Sequence, residues 1–108
     1  MKRGELYRVY KGTKSGPKKH RVFLIVSRQA LIDHDFSSVI CAPVYSRYGG
    51  IPTQVEAGAE EGLTHDSAVF CDDLVSIHKS MLTDFVGALS DVKMEDVNTA
   101  LRIALAVE

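Results

Sequence analysis

Apolar residues in this chain come in short bursts between turn-forming residues, and the spacing inside each burst points to the element it builds. GELYRVYK, residues 4–11, is rich in aromatic and β-branched types and predicts a strand. GTKSGPKK, 12–19, gathers Gly, Ser, Pro and Lys and predicts an exposed loop. RVFLIVS, 21–27, holds an unbroken apolar run, Val22–Val26, which suits a strand covered on both faces. RQALIDHDF, 28–36, suits a short helical turn or an irregular crossover, and SSVICAPV, 37–44, a second buried strand. YSRYGGIP, 45–52, is polar and punctuated by Gly49-Gly50 and Pro52, so it predicts another loop. TQVEA, 53–57, alternates as a half-exposed strand should, and after the turn-like GAEEGLTHD come SAVFC, 67–71, and FVGAL, 85–89. From Asp91 the period changes. Val97, Leu101 and Leu105 recur every four residues beside Ala100 and Ala104, one apolar stripe of a helix capped by Ser90 or Asp91. The expectation is five or six short strands closed by one C-terminal helix, a mainly β fold filling residues 1–108 as a single domain.

Composition narrows this picture. The 108 residues make a chain of about modal domain length, and 45% apolar residues suffice for one packed core. No apolar run approaches the ~20 residues of a membrane span. MKRGELYRVY has no signal-like apolar stretch, and two cysteines make no disulfide framework, so a reducing cytoplasm is expected. The net charge of −1 hides an asymmetry: residues 1–21 carry eight basic groups against the single acid Glu5, and the remainder five against thirteen. Such a segment is either a solvated basic loop or a cationic lip for a polyanion, and charge alone leaves both readings open.

Metal chemistry is not indicated. His20, His34, His65 and His78 fall at no ligand spacing, and Cys41 and Cys71 read as small core thiols. No Gly-rich nucleotide loop or nucleophile elbow is present. What remains is a set of polar residues where strands open into loops. Arg21 starts the buried strand, Tyr45, Ser46 and Arg47 leave the next one, and Asp72 and Asp73 follow the third. Strand ends are rigid and loop mouths accessible, so such residues can converge on one surface. An arginine, a hydroxyl and a carboxylate suffice for one metal-free reaction, because RNA carries its own nucleophile, the 2′-OH. That reaction needs a base, cationic donors for the phosphorane, and a proton for the leaving 5′-oxygen. Each residue also has a purely structural use, in an ion pair, a cap or a turn.

The same residues, in order, resemble the MazF/PemK (Kid) family of type II toxin–antitoxin toxins. Arg3-Gly4-Glu5-Leu6-Tyr7 resembles the family's opening, and Arg21 followed by Val22–Ser27 its arginine-led strand. VICAPVYS, 39–46, PTQVE, 52–56, GLTHDSAVFCD, 62–72, VSIHKSML, 75–82, and the tail EDVNTALRIALAV are similar to its later segments. The likeness spans the chain in register. It implies an SH3-like small barrel with a C-terminal helix, a homodimer, and a sequence-specific, metal-independent endoribonuclease needing no cofactor. Its products would be a 2′,3′-cyclic phosphate and a 5′-OH. Its partners would be single-stranded RNA and an acidic, partly disordered antitoxin.

Carried over by position, Arg21 matches the catalytic arginine and Asp72 a carboxylate put forward as general base. The family's catalytic Thr aligns with Tyr45, so the Tyr45 hydroxyl or neighbouring Ser46 must replace it. Lys14, Lys18, Lys19, His20, Arg47, Thr53, Gln54 and Asp73 would bind RNA, and His20 is an added titratable group beside Arg21. Val22 and Val75 also depart from the family's usual Pro and Arg. Two alternatives share the fold: a CcdB-like toxin that binds gyrase, and a degenerate toxin that only binds its antitoxin. The terminal Ala106-Val107-Glu108 lacks the aromatic residue of the CcdB type.

Overall fold

A computed structural model describes residues 1–10 and 20–108 of the chain. Its strands are β1 (Glu5–Tyr10), β2 (His20–Ile25), β3 (Ser38–Tyr45), β4 (Gln54–Ala57), β5 (Ser67–Phe70), β6 (Val75–His78) and β7 (Asp84–Ala88). A one-turn helix α1 (Gln29–Asp33) joins β2 to β3, and α2 (Asp91–Leu105) ends the chain. The described strands form one antiparallel sheet in the order β4-β5-β3-β2-β1-β7, with β6 beside the first half of β3. β3 is the longest because it serves three neighbours. Ser38–Cys41 pairs with β6, Cys41–Val44 with β2, and Val44–Tyr45 with β5.

The continuous apolar run of β2 follows from this position. Side chains alternate across a strand, so both faces of a central strand must be covered. Leu24 points with Leu6, Ala42, Val44, Val55 and Val69 into a core roofed by Met94, Val97 and Ala100 of α2. Ile25 points the other way, with Tyr7, Val9, Val39, Cys41 and Ile77, into a second core closed by Ile32 of α1 and by Leu82. The curl brings the two edge strands together. The turn Ala59–Glu61 after β4 lies against β7 so closely that a Cβ on Gly87 would overlap the Glu61 carbonyl. Gly62 ends that turn at φ 95°, where a Cβ would meet the Val86 carbonyl. Two glycines thus let backbone approach backbone along the seam of a half-barrel.

Helix α2 begins as expected, with the Ser90 hydroxyl accepting from the Lys93 N–H. Its buried stripe is displaced from the expected one. Met94, Val97 and Ala100 are inside, Leu101 and Ala104 pack partly, and Leu105 is 56% exposed. The helix outruns the sheet, so its last turn has nothing beneath it. Asn98, outside that stripe, accepts from Arg3 at 2.8 Å, while Arg3 Nε donates to the Val26 carbonyl at 3.0 Å. The start of the chain is thereby tied to its end.

Among the described residues the strand count is seven rather than five or six. β6 was not expected, because Ile77 is the one buried residue among Val75–His78 and gives no hydrophobic pattern to read. Its backbone pairing with β3 makes it a strand. No helix among the described residues is long and apolar enough to cross a membrane.

Candidate active site

Antiparallel pairing places the beginning of β2, the end of β3 and the beginning of β5 side by side. Val22 faces Val44, so Arg21 and Tyr45, one residue outward on each strand, share the opposite face. Arg21 Nη1 donates to the Tyr45 hydroxyl at 3.1 Å, and the guanidinium carbon lies 4.6 Å from the Tyr45 ring centroid. The ring is held from another side by Phe70, edge-on at 4.7 Å between centroids. Arg21 and Tyr45 are each half-buried, so the guanidinium is oriented by protein yet open to a ligand.

A cleft of about 270 Å³ opens here. Arg21, Tyr45, Ser46 and His20 line one part of its wall, and Thr64, His65 and Ser67 line another. Val22, Val44 and Leu63 supply its apolar lining. Among the described residues, no carboxylate lines it. The sequence placed Arg21, Tyr45, Ser46 and His20 at such a mouth but passed over Thr64, His65 and Ser67. These lie in and just after the β4–β5 connection, and only the pairing of β5 with β3 carries them to Tyr45. A polar, turn-like stretch directly before a core strand was the available signal.

His20 is exposed beside Tyr10, their rings edge-on at 5.7 Å. The Tyr10 hydroxyl donates to Asp84 Oδ2 at 2.9 Å, and Arg8 Nη1 donates to the same oxygen at 3.3 Å. These contacts hold the Asp84 carboxyl below its ordinary range, the Tyr10 hydrogen bond first, with Arg8 next and nearby His20 last. The Tyr10 hydroxyl is correspondingly pushed up.

Asp72 forms a separate cluster. It follows Phe70 at the far end of β5, in the turn Cys71–Asp73, and its Oδ2 accepts from the Thr53 hydroxyl at 2.6 Å. Thr53 is buried and its carbonyl accepts from the Cys71 N–H, so two backbone segments fix the pair. Ser67 to Phe70 spans three strand rises, about 10 Å. The structure thus brings Arg21, Tyr45, Ser46 and His20 to one cleft and sets Asp72 on a neighbouring ledge, with exposed Asp73 beside it. The Tyr45–Phe70 contact links cleft and ledge. Gln54 faces Phe70 across β4 and β5 and accepts from the Gly49 N–H at 2.9 Å, bracing the loop that carries exposed Arg47. Lys14, Lys18 and Lys19 lie outside the described residues.

Among the described residues, no group of three or more His, Cys, Asp or Glu side chains is placed to hold a metal ion. Cys41 and Cys71 are free, buried thiols, pushed up by burial to about 12 and about 11.

Residues 2–105 match the PemK-like, MazF-like toxin family of type II toxin–antitoxin systems. The chain is 31% identical to "Endoribonuclease EndoA" of Bacillus subtilis over 111 residues, covering 99% of this chain and 96% of that one. It is also 31% identical over 105 residues to "Endoribonuclease MazF4" of Mycobacterium tuberculosis, covering 97% and 92%. Among solved structures, it superimposes with a TM-score of 0.83 on a mycobacterial endoribonuclease in complex with its cognate antitoxin. There the identity is 29% and the coverage 98% of this chain and 95% of that chain.

Proposed function

Since the chain belongs to the PemK-like, MazF-like toxins of type II toxin–antitoxin systems, we propose that it is an endoribonuclease that cuts single-stranded RNA at Arg21. The observation that carries this reading is the Arg21 guanidinium, seated on the Tyr45 ring and hydrogen-bonded to its hydroxyl in an open cleft. Cleavage by 2′-OH attack forms the O2′–P bond and breaks P–O5′, leaving a 2′,3′-cyclic phosphate and a 5′-OH. Charge accumulates on the non-bridging oxygens of the phosphorane. A guanidinium already oriented in the ground state stabilises that charge without reorganising during the reaction.

The remaining residues have supporting places. Ser46 lies beside Tyr45 and offers the phosphate a hydroxyl donor. Arg47 and the lysines Lys14, Lys18 and Lys19 hold flanking phosphates, which makes binding salt-sensitive. The ledge of Thr53, Gln54, Asp72 and Asp73 offers donors and acceptors to splayed bases, and so contributes to sequence preference. The chain's own donors carry this chemistry, so cleavage is expected to persist in EDTA.

The active form is a homodimer, and its antitoxin is an acidic, partly disordered segment that competes with RNA for the cationic surface. Exposed large apolar residues such as Phe36, Ile103 and Val107 support a second chain covering part of this surface. Light scattering is expected to give about twice the 11.9 kDa of one chain.

The deciding experiment incubates the purified chain with a long single-stranded RNA in EDTA and maps the ends. Discrete cuts with cyclic-phosphate and 5′-OH termini are expected. Arg21→Ala should lower the rate by about 10²–10³-fold, the usual loss for one transition-state donor. Intact RNA from folded, antitoxin-free protein, or an Arg21→Ala variant that cuts normally, overturns the reading.

A further inference from the structure

Cleavage of RNA through its 2′-OH moves two protons: one leaves O2′ as it attacks phosphorus, and one must reach O5′ as it departs. The groups that move them have to sit within hydrogen-bond reach of the scissile phosphate. Asp72 does not line the Arg21 cleft, and its Oδ2 accepts from Thr53 on the neighbouring ledge. Among the described residues, no other carboxylate lines that cleft either. Two histidines do, and they reach it from different elements: His20 from the first residue of β2, and His65 from the β4–β5 connection.

We propose that His65 and His20 are the proton-transfer pair of this site, one imidazole removing the 2′-OH proton and the other, as imidazolium, protonating the 5′-oxygen. The inference rests on the nuclease reading and deepens it. Imidazole is the side chain that exists in both forms near neutrality, so one fold can present a base and an acid at once. The cleft also has room for the reaction. Its 270 Å³ corresponds to about nine waters at ~30 Å³ each, a volume on the scale of a ribose and its phosphate. The balance closes within the cleft. O2′ loses its proton to one ring and bonds to phosphorus, the P–O5′ bond breaks, and O5′ takes a proton from the other ring. Arg21 stays protonated throughout and serves the non-bridging oxygens.

Charged and titratable neighbours surround each ring. His20 faces Tyr10, with Asp84 and Arg8 behind it. His65 shares the cleft with Arg21 and Tyr45 and is followed in the chain by exposed Asp66. His65 itself is exposed, and the contact it makes inward is through its carbonyl, which accepts from the Ser67 hydroxyl at 2.9 Å. Changing its ring therefore leaves that turn intact.

The test uses the full chain and an oligonucleotide spanning a cut site mapped on the long RNA, under single-turnover conditions from pH 5 to 9. Wild type should give a bell-shaped rate profile. His65→Ala should lose about 10²-fold in rate, the low end for a general acid or base, together with one limb of the bell. Loss of the acidic limb identifies His65 as the base, and loss of the alkaline limb as the acid. His20→Ala should remove the other limb, and added imidazole should restore part of the rate to each variant. For His65→Ala, affinity for the same oligonucleotide with a 2′-deoxyribose at the attacking position should stay within about twofold, since proton transfer adds nothing to ground-state binding. His65→Gln, which keeps a polar side chain but cannot titrate, should behave like the alanine variant. A His65→Ala enzyme with wild-type rate and profile overturns the proposal while leaving the nuclease reading standing. So does a loss of deoxy-oligonucleotide binding equal to the loss of rate. If wild type cuts no RNA at all, both readings fall together.

Discussion

Replacing Tyr45 with Phe separates two roles for its hydroxyl, because the change deletes one oxygen and keeps the ring. Arg21 donates to that oxygen at 3.1 Å and lies 4.6 Å from the ring centroid, so the hydroxyl supplies one of two restraints on the guanidinium. A hydrogen bond to a charged group contributes ~1.5–3 kcal/mol when buried. Both residues are half-buried, which brings the expected value to about 1 kcal/mol, or about fivefold in kcat/KM. Tyr45→Ala also removes the ring, losing ~0.5–1 kcal/mol of cation–π attraction and ~0.5–1.5 kcal/mol of edge packing on Phe70. That variant should fall by about 10²-fold in total. The assay is single-turnover cleavage of an end-labelled oligonucleotide, with thermal melting to confirm folding. In an Arg21→Ala background, Tyr45→Phe should cost nothing further, because the oxygen acts through the guanidinium. If Tyr45→Phe alone costs 100-fold or more, a figure in the ~10²–10⁴ range of general acid–base groups, the positioning argument is wrong and the hydroxyl moves a proton.

Further outcomes follow from other parts of the molecule. Asp72→Asn keeps the shape of the Thr53 contact and removes the charge, so cleavage should drop less than about tenfold; a hundredfold loss in kcat would restore the carboxylate as base. Gly87→Ala pushes a methyl into the Glu61 carbonyl across the seam and should cost ~3 kcal/mol or more, read as a lowered urea midpoint. Gly49→Ala, with nothing within 4 Å, should stay within ~0.5 kcal/mol of wild type. At pH 8 a thiol reagent should leave Cys41 and Cys71 unmodified in native protein and modify both in urea, since burial raises them to about 12 and about 11. A folded-state pKa raised above the ordinary 9.0 means that this contribution to stability is complete below pH 9 and declines as the pH rises through the folded values.

The parts of the fold that follow from local pattern were legible in the chain itself. β2 and β3 carry apolar runs because they are central and contribute to both cores, and α2 shows its 3.6-residue period because one face roofs a core. β6 left no such mark, since backbone pairing rather than side-chain burial makes it a strand. The displaced stripe of α2 has a related cause. Periodicity shows that a helix has a buried side, but where the sheet beneath it ends decides that Leu105 is left exposed.

The site divides in the same way. Sequence alone determined which residues stand at strand mouths, among them Arg21, Tyr45, Ser46 and Asp72, because the switch from an apolar run to a polar loop is a local feature. Which of those mouths share one cleft was decided only by the tertiary structure. Antiparallel pairing of β2, β3 and β5 joins Arg21 and Tyr45 to His65, residues distant along the chain, and the length of β5 holds Asp72 on a ledge with Thr53. Strand register is a long-range property, fixed by the packing of two cores and by the glycine seam at Gly62 and Gly87, and no local window of the sequence contains it.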